Sequence, residues 1–292
     1  MAVAEAFIPS TTRRRSGGLG SARRVLGKSS VVDLVGFGLL AILVLAGILA
    51  PLLAPYSPIV PSGLPFSPPL TGGHLLGTDE VGFDIFSRVL FGLRASLIGV
   101  VLVVSSGVII GGAIGLVAGV AGGWVDTVLM RITDLFLALP GPVLAIALVA
   151  ALGPSEWHTL LAVAIVWWPF YARIMRGEIR SLAARPHLEA ATLAGAGPFR
   201  RAFRHLLPGA TAAIVVTASL DVGNLVLTLA GLSFLGLGAP APAPELGAMA
   251  ARGLQYLLQE WWVAVMPAAA VFLLTMASNL SGDGLNSAME DA

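Results

Sequence analysis

Long apolar runs broken by short polar stretches dominate this chain. Six of them are long enough to cross about 30 Å of hydrocarbon. They lie at roughly Val31–Ala54, Ala95–Ala121, Leu135–Leu152, Trp157–Ala172, Gly209–Gly236 and Trp261–Leu280. The third reaches back toward Thr127, carrying Arg131 and Asp134. The fourth is short, but Arg173 and Arg176 can snorkel from its end. The pattern predicts an all-α polytopic membrane protein of six transmembrane helices. Composition agrees: the 292 residues are 57% hydrophobic and only 11% charged, against about a quarter charged in soluble domains.

Charge then orients the spans. With the N-terminus inside, fourteen of the 17 Lys and Arg residues fall on inner segments, leaving only Arg88, Arg94 and Arg252 outside. This bias places both termini in the cytoplasm. Four segments follow: a basic cytoplasmic tail over 1–30; a first span and outer loop over 31–94; a transmembrane domain over 95–285 with a cytoplasmic loop at 173–208; and a cytoplasmic tail over 286–292. Residues 1–30 read as a tail and not as a cleaved leader, because the apolar run after them is too long and lacks a small-residue cleavage site. No internal repeat is visible.

Within the spans, Gly107, Gly111, Gly115 and Gly119 recur every fourth residue and share one helix face. That face lets another backbone approach closely, either within the chain or across a dimer seam. Asp221 sits mid-span, where a carboxylate costs about 2.5–3.5 kcal/mol and must face protein or water. It is a candidate pathway or subunit-interface group, or else a hydrogen-bonded packing residue. Arg131 and Asp134, three apart, suggest a local ion pair.

The polar stretch Arg173–Pro208 holds seven of the 17 cations. Pro186 and Glu189 suit a helix start, and Gly195 its end. Leu188, Ala191, Thr192 and Gly195 then share a small-residue face. A second helix fits from Pro198 to Leu206, with Phe199, Ala202, Phe203 and Leu206 as an apolar stripe and Arg200, Arg201 and Arg204 opposite. Pro208 resets the chain before the fifth span. The basic helix could lie among anionic lipids, and the arginines could serve topology alone. The small-faced first helix favours a docking protein.

Cysteine is absent, and the four histidines are scattered, so thiol chemistry is excluded and no metal site is expected. No catalytic residues are assigned. No Ser/His/Asp, His/Glu or paired-aspartate constellation falls at membrane depth, which leaves an intramembrane enzyme remote. A stand-alone secondary transporter or channel is the alternative, and it predicts several deep ionisable groups or internal symmetry. Nothing points to nucleic acid.

Glu189-Ala190-Ala191, then Gly195, then His205-Leu206-Leu207-Pro208 resembles the EAA loop of permease subunits of binding-protein-dependent ABC importers. Further segments are similar to the second (C-type) permease of the dipeptide/oligopeptide/nickel branch: His74 to Asp84 with Ser87-Arg88, Ser233 to Gly238, and Asn279 to Leu285. Phe83 stands where that family usually has arginine, Leu246 where it has tryptophan, and Gly209 where it has asparagine. The resemblance covers about Val31 to Asp291. It implies a type I ABC importer permease fold in a prokaryotic plasma membrane. It further implies a pathway shared with a homologous permease, two ATPase subunits carrying ATP and Mg, and an extracytoplasmic binding protein. Glu189, Ala190, Ala191, Gly195, Leu207 and Pro208 would form the ATPase dock. The cargo would be di- or oligopeptides or a related small solute, with no cofactor bound by this chain.

Overall fold

In the computed structural model, which describes residues 31–186, 188 and 195–290, most of the described length is helical. Helix α1 spans Val31–Ile48 and a short α2 spans Ala50–Leu53; after a long loop, α3 spans Ile85–Ala121. Then follow α4 (Gly123–Leu137), α5 (Gly141–Leu152), α6 (Glu156–Ala183), α7 (Pro198–Arg201), a π-turn over Ala202–Leu206, and α8 (Leu207–Phe234). Helix α9 (Leu246–Gly253) and α10 (Trp261–Glu290) complete the order. Among the described residues, five stretches are long and apolar enough to cross a membrane, or six if α4 and α5 form one span bent by 82°.

Several boundaries differ from the hydropathy pattern. Helix α3 begins ten residues before Ala95 because Asp84 caps it, its carboxylate accepting from the Ser87 amide at 2.7 Å. The line drawn at 94/95 therefore falls inside α3, as that at 285/286 falls inside α10. Helix α6 runs on to Ala183, so Arg173, Arg176 and Arg180 belong to a helix and not to a loop. The third span is two helices, because Pro140 disfavours helical geometry in the residue before it.

Pro208 does not reset the chain either: the helix runs unbroken from Phe199 to Phe234. The amide of Leu207 bonds the carbonyl of Ala202, five residues back. This wider turn precedes a proline whose ring would otherwise press on the preceding turn.

Helices α3 and α6 form the spine of the fold. A Cβ on Gly107 would lie 2.8 Å from the Tyr171 ring, and one on Gly111 the same distance from Tyr171 Cβ. One on Gly115 would meet Met175 Cβ at 2.8 Å, and one on Gly119 would meet Ile179 at 2.6 Å. The glycine face is thus occupied by the chain's own α6. Two hydrophobic clusters form along this spine. The larger, around Val103, Val163, Leu225 and Trp262, fills the bundle toward the end that carries the 55–84 loop. The smaller, around Met175, Ile179, Leu182 and Leu206, fills the arginine-rich end.

Opposite the arginines, the 55–84 loop folds over the bundle. His74 Nδ1 lies 2.9 Å from Asp84, and the buried Arg88 donates to the carbonyls of Pro58 (3.0 Å) and Ala243 (3.4 Å). The guanidinium also lies 4.5 Å from the centre of the Phe83 ring, a cation–π contact. Leu246 is buried in the larger cluster. Glu245 accepts from the Ser233 hydroxyl and from the Ala239 amide (2.7 Å).

Two predictions follow from this packing. Gly111→Ala forces α3 and α6 apart and costs about 1–3 kcal/mol. Gly112→Ala, whose Cβ would meet only Met175 Cε at 3.6 Å, is neutral or stabilising by up to about 1 kcal/mol. Thermal melts in detergent separate the two. The second prediction concerns Glu245, whose carboxyl burial pushes above the usual carboxylate range, against the opposing pull of its Ser233 hydrogen bond. A raised folded-state value means that its contribution is fully present at acid pH and is lost as pH rises through that value. Glu245→Gln removes the titration while its amide oxygen accepts from the Ala239 amide and its NH2 donates to the Ser233 hydroxyl, so a melt series from about pH 4 to pH 8 should lose that slope.

Candidate functional site at the arginine-rich end

Helix α4 turns out of the tight Gly122–Gly123 corner, where both glycines have positive φ (62° and 53°) that a side chain would oppose. The corner aims Asp126 inward, where it is buried. Arg176 grips it with two bonds, Nε to Oδ1 and Nη2 to Oδ2 (2.7 Å), and Arg180 adds a third at 2.7 Å. One carboxylate thus ties two arginines of α6 to α4. Nearby, Asp134 pairs with Arg173 at 2.6 Å, a long-range bond that replaces the expected local pair with Arg131.

Beyond α6, Leu188 is buried in the smaller cluster. Glu189, Ala190 and Ala191, like Thr192, lie outside the described residues. Gly195 has φ +82° with open space around it, a left-handed turn that glycine alone adopts without strain. The expected apolar stripe divides in two. Ala202 and Leu206 are buried, whereas Phe199 (77% exposed) and Phe203 (50%) point outward and stack with ring centres 4.6 Å apart. The π-turn causes this, since adding a residue to one turn rotates the flanking positions out of a common face. Arg200 and Arg204 are exposed beside the aromatic pair, and Arg201 is half-buried. Leu207 is half-buried and Pro208 exposed. A Cβ on Gly209 would meet Leu182 at 2.9 Å, so the ends of α6 and α8 touch here.

Asp221 lies deeper on the same α8, only 6% exposed. It accepts from Trp167 Nε1 and, at 3.0 Å, from the Tyr171 hydroxyl. Both donors stand on α6, on either side of the interior Pro169. Asn279 of α10 presses on Gly223, half a turn further, where a Cβ would lie 2.7 Å from the amide carbon. The arrangement holds no nucleophile–base pair. Among the described residues, no group of three or more His, Cys, Asp or Glu is placed to hold a metal. What it offers is mechanical: a solvent-facing basic and aromatic surface joined through one helix to a hydrogen-bonded carboxylate inside the bundle.

Sequence reasoning missed Asp126 and its two arginines. The Gly122–Gly123 pair before Asp126 was the available signal, because it marks a corner that turns the next polar residue inward.

Residues 111–291 match the family described as the binding-protein-dependent transport system inner membrane component. The chain belongs to that family. The permease is 38% identical over 263 residues to the probable D,D-dipeptide transport system permease protein of Escherichia coli, covering 90% of this chain and 88% of the relative. It is 40% identical over 262 residues to the di/tripeptide transport system permease protein of Pseudomonas aeruginosa, covering 87% and 86%. A glutathione transport system permease protein of Pectobacterium atrosepticum is 43% identical over 220 residues, covering 75% and 73%. The chain is accordingly an inner-membrane permease subunit of a transport system, a non-catalytic part whose ATPase is a separate subunit. The type I permease architecture follows with the family.

The two ion pairs of the permease should differ in weight. Asp126→Ala strands Arg176 and Arg180 around a buried gap and should cost about 2–3 kcal/mol, discounted for the partial exposure of the arginines. Asp134→Ala breaks a pair whose side chains are 52% and 56% exposed, and should cost no more than about 1 kcal/mol. Detergent unfolding of the two variants tests the ranking, and equal losses would sink it.

Proposed function

We propose that this permease forms half of a translocation pathway for di- or oligopeptides, pairing with a homologous permease, and that ATPase subunits drive it from the arginine-rich end. The observation that carries the reading is the unbroken helix Phe199–Phe234. It joins the exposed Phe199 and Arg200 surface to Asp221 in the bundle, so a push at one end is delivered to the other. The peptide names of relatives that span about nine tenths of the chain support the cargo class.

In this reading both termini and the arginine-rich end are cytoplasmic, following the charge bias. Two ATPase subunits hold ATP and Mg, and a binding protein delivers cargo to the opposite face. Glu189, Ala190, Ala191 and Gly195 form the dock, with Leu207 and Pro208 leading into the rod. Glu189 supplies a polar or ionic contact, and Gly195 the sharp turn between docking segment and rod. Closing of the ATPase pair on ATP biases the bundle between two states, inward-open and outward-open. Asp221, held by Trp167 and Tyr171, keeps α6 and α8 in step during that change.

Gly195→Asp tests the dock. The chain should still insert and pair with its partner permease, because the position is open to solvent. ATPase co-purification and peptide-stimulated ATP hydrolysis should fall about tenfold or more. Uptake at the unaltered rate in proteoliposomes carrying this variant would remove the dock assignment.

A further inference from the structure

Three arginines stand at the end of the bundle away from the main arginine cluster, and two are engaged. Arg88 is spent on Pro58, Ala243 and the Phe83 ring, with Asp79 3.8 Å away. Arg252 lies 3.8 Å from Glu80. Arg94 is exposed and has no ion-pair partner among the described residues. The neighbouring carboxylates are already satisfied: Asp79 by the amides of Val81 (3.0 Å) and Phe83 (2.9 Å), and Asp84 by His74 and the Ser87 amide.

Arg94 lines an open cleft of about 240 Å³ between α1 and α3, with Gly47, Ile48, Leu97 and Ile98 as its other walls. Gly47, itself buried, closes the floor of the cleft where α1 and α3 touch: a Cβ there would lie 2.8 Å from Leu97 Cδ1 and 3.3 Å from the Arg94 amide nitrogen. The rim is apolar and exposed, with Ile48 and Ile98 turned outward. Arg94 therefore sits beside the end of α1, within two turns of where the apolar run over 31–54 gives way to the proline-bearing 55–84 loop. That is the level at which a membrane span meets the headgroups.

We propose that this cleft binds one phospholipid of the leaflet at that end, its phosphate held by the Arg94 guanidinium and an acyl chain laid along Ile48, Leu97 and Ile98. The chemistry is complementary on both counts. A planar guanidinium offers paired donors to a phosphate, and one held at headgroup level is placed where lipid phosphates lie. A snorkelling stem with a basic head above an apolar groove is also how headgroup and chain are held together. The inference rests on the membrane family of the chain and not on its cargo.

The test uses the complete transporter purified in mild detergent, titrated with palmitoyl-oleoyl-phosphatidylglycerol and followed by native mass spectrometry. Arg94→Gln should lower the affinity for the tightest-held lipid about tenfold, and Arg94→Lys should retain most of it. Ile98→Gln alters a wall without touching the charge and should weaken binding too. Inorganic phosphate in excess should not displace the lipid, since it lacks the chain. A photo-crosslinker at position 98 in native membranes should capture phospholipid. Unchanged lipid binding in Arg94→Gln, displacement by inorganic phosphate alone, or a crosslink into the second permease would each overturn the proposal.

Discussion

Close approach of α3 and α6 sets the terms for the rest of this molecule. Among lipid tails, apolar side chains gain little by leaving their surroundings, so helices associate through contact and hydrogen bonding. Four glycines at every fourth position supply the contact. At Gly111 and Gly115 the backbone carbonyls of Trp168 and Ala172 occupy the space a Cβ would need. The same ladder places a polar group. With Gly107 leaving room for its ring, Tyr171 packs flat against α3 and sends its hydroxyl the other way, to Asp221. Packing on one face of α6 thus positions hydrogen bonding on another.

Helix α6 is also where buried charge is satisfied. Its Trp167 and Tyr171 donate to Asp221 of α8, and its Arg176 and Arg180 donate to Asp126 of α4. Each carboxylate would be costly if left unpaired, and each becomes a cross-link once several donors converge on it. Because all of these donors stand on one helix, its position constrains α4 and α8 together. Pro169 lies between Trp167 and Tyr171, removing one backbone bond where the larger cluster ends and the smaller begins.

Much of this was readable in the sequence where the signal is local. The glycine spacing fixed a packing face, and the positively charged segments marked one end of the bundle. Helix ends were less legible. Hydropathy falls at Arg173, so α6 looks finished there, yet it continues because Arg176 and Arg180 find Asp126 fifty or more residues away. Asp134 likewise chose a partner 39 residues distant over one three residues away, a preference set by tertiary approach and invisible to helical spacing. Pro208 read as a break, but the preceding π-turn absorbs it. The split of Phe199 and Phe203 from Ala202 and Leu206 has the same cause, since a 3.6-residue period misplaces side chains across a wider turn.

Helix length explains why one end of the bundle can act on its middle. The 36 residues from Phe199 to Phe234 extend about 54 Å, against about 30 Å of hydrocarbon. The helix is therefore longer than a crossing requires. It is not a free arm: Leu182 braces it at Gly209, and the Asp221 hydrogen bonds hold it to α6 further along. A displacement at Phe199 must then either travel along the helix or be taken up where its regular bonding is weakest, at the π-turn. The buried Ala202 and Leu206 within that turn pack into the smaller cluster with Met175 and Ile179 of α6. Bending there would open that cluster, so moving α8 and the arginine-bearing half of α6 together disturbs fewer contacts than bending either alone.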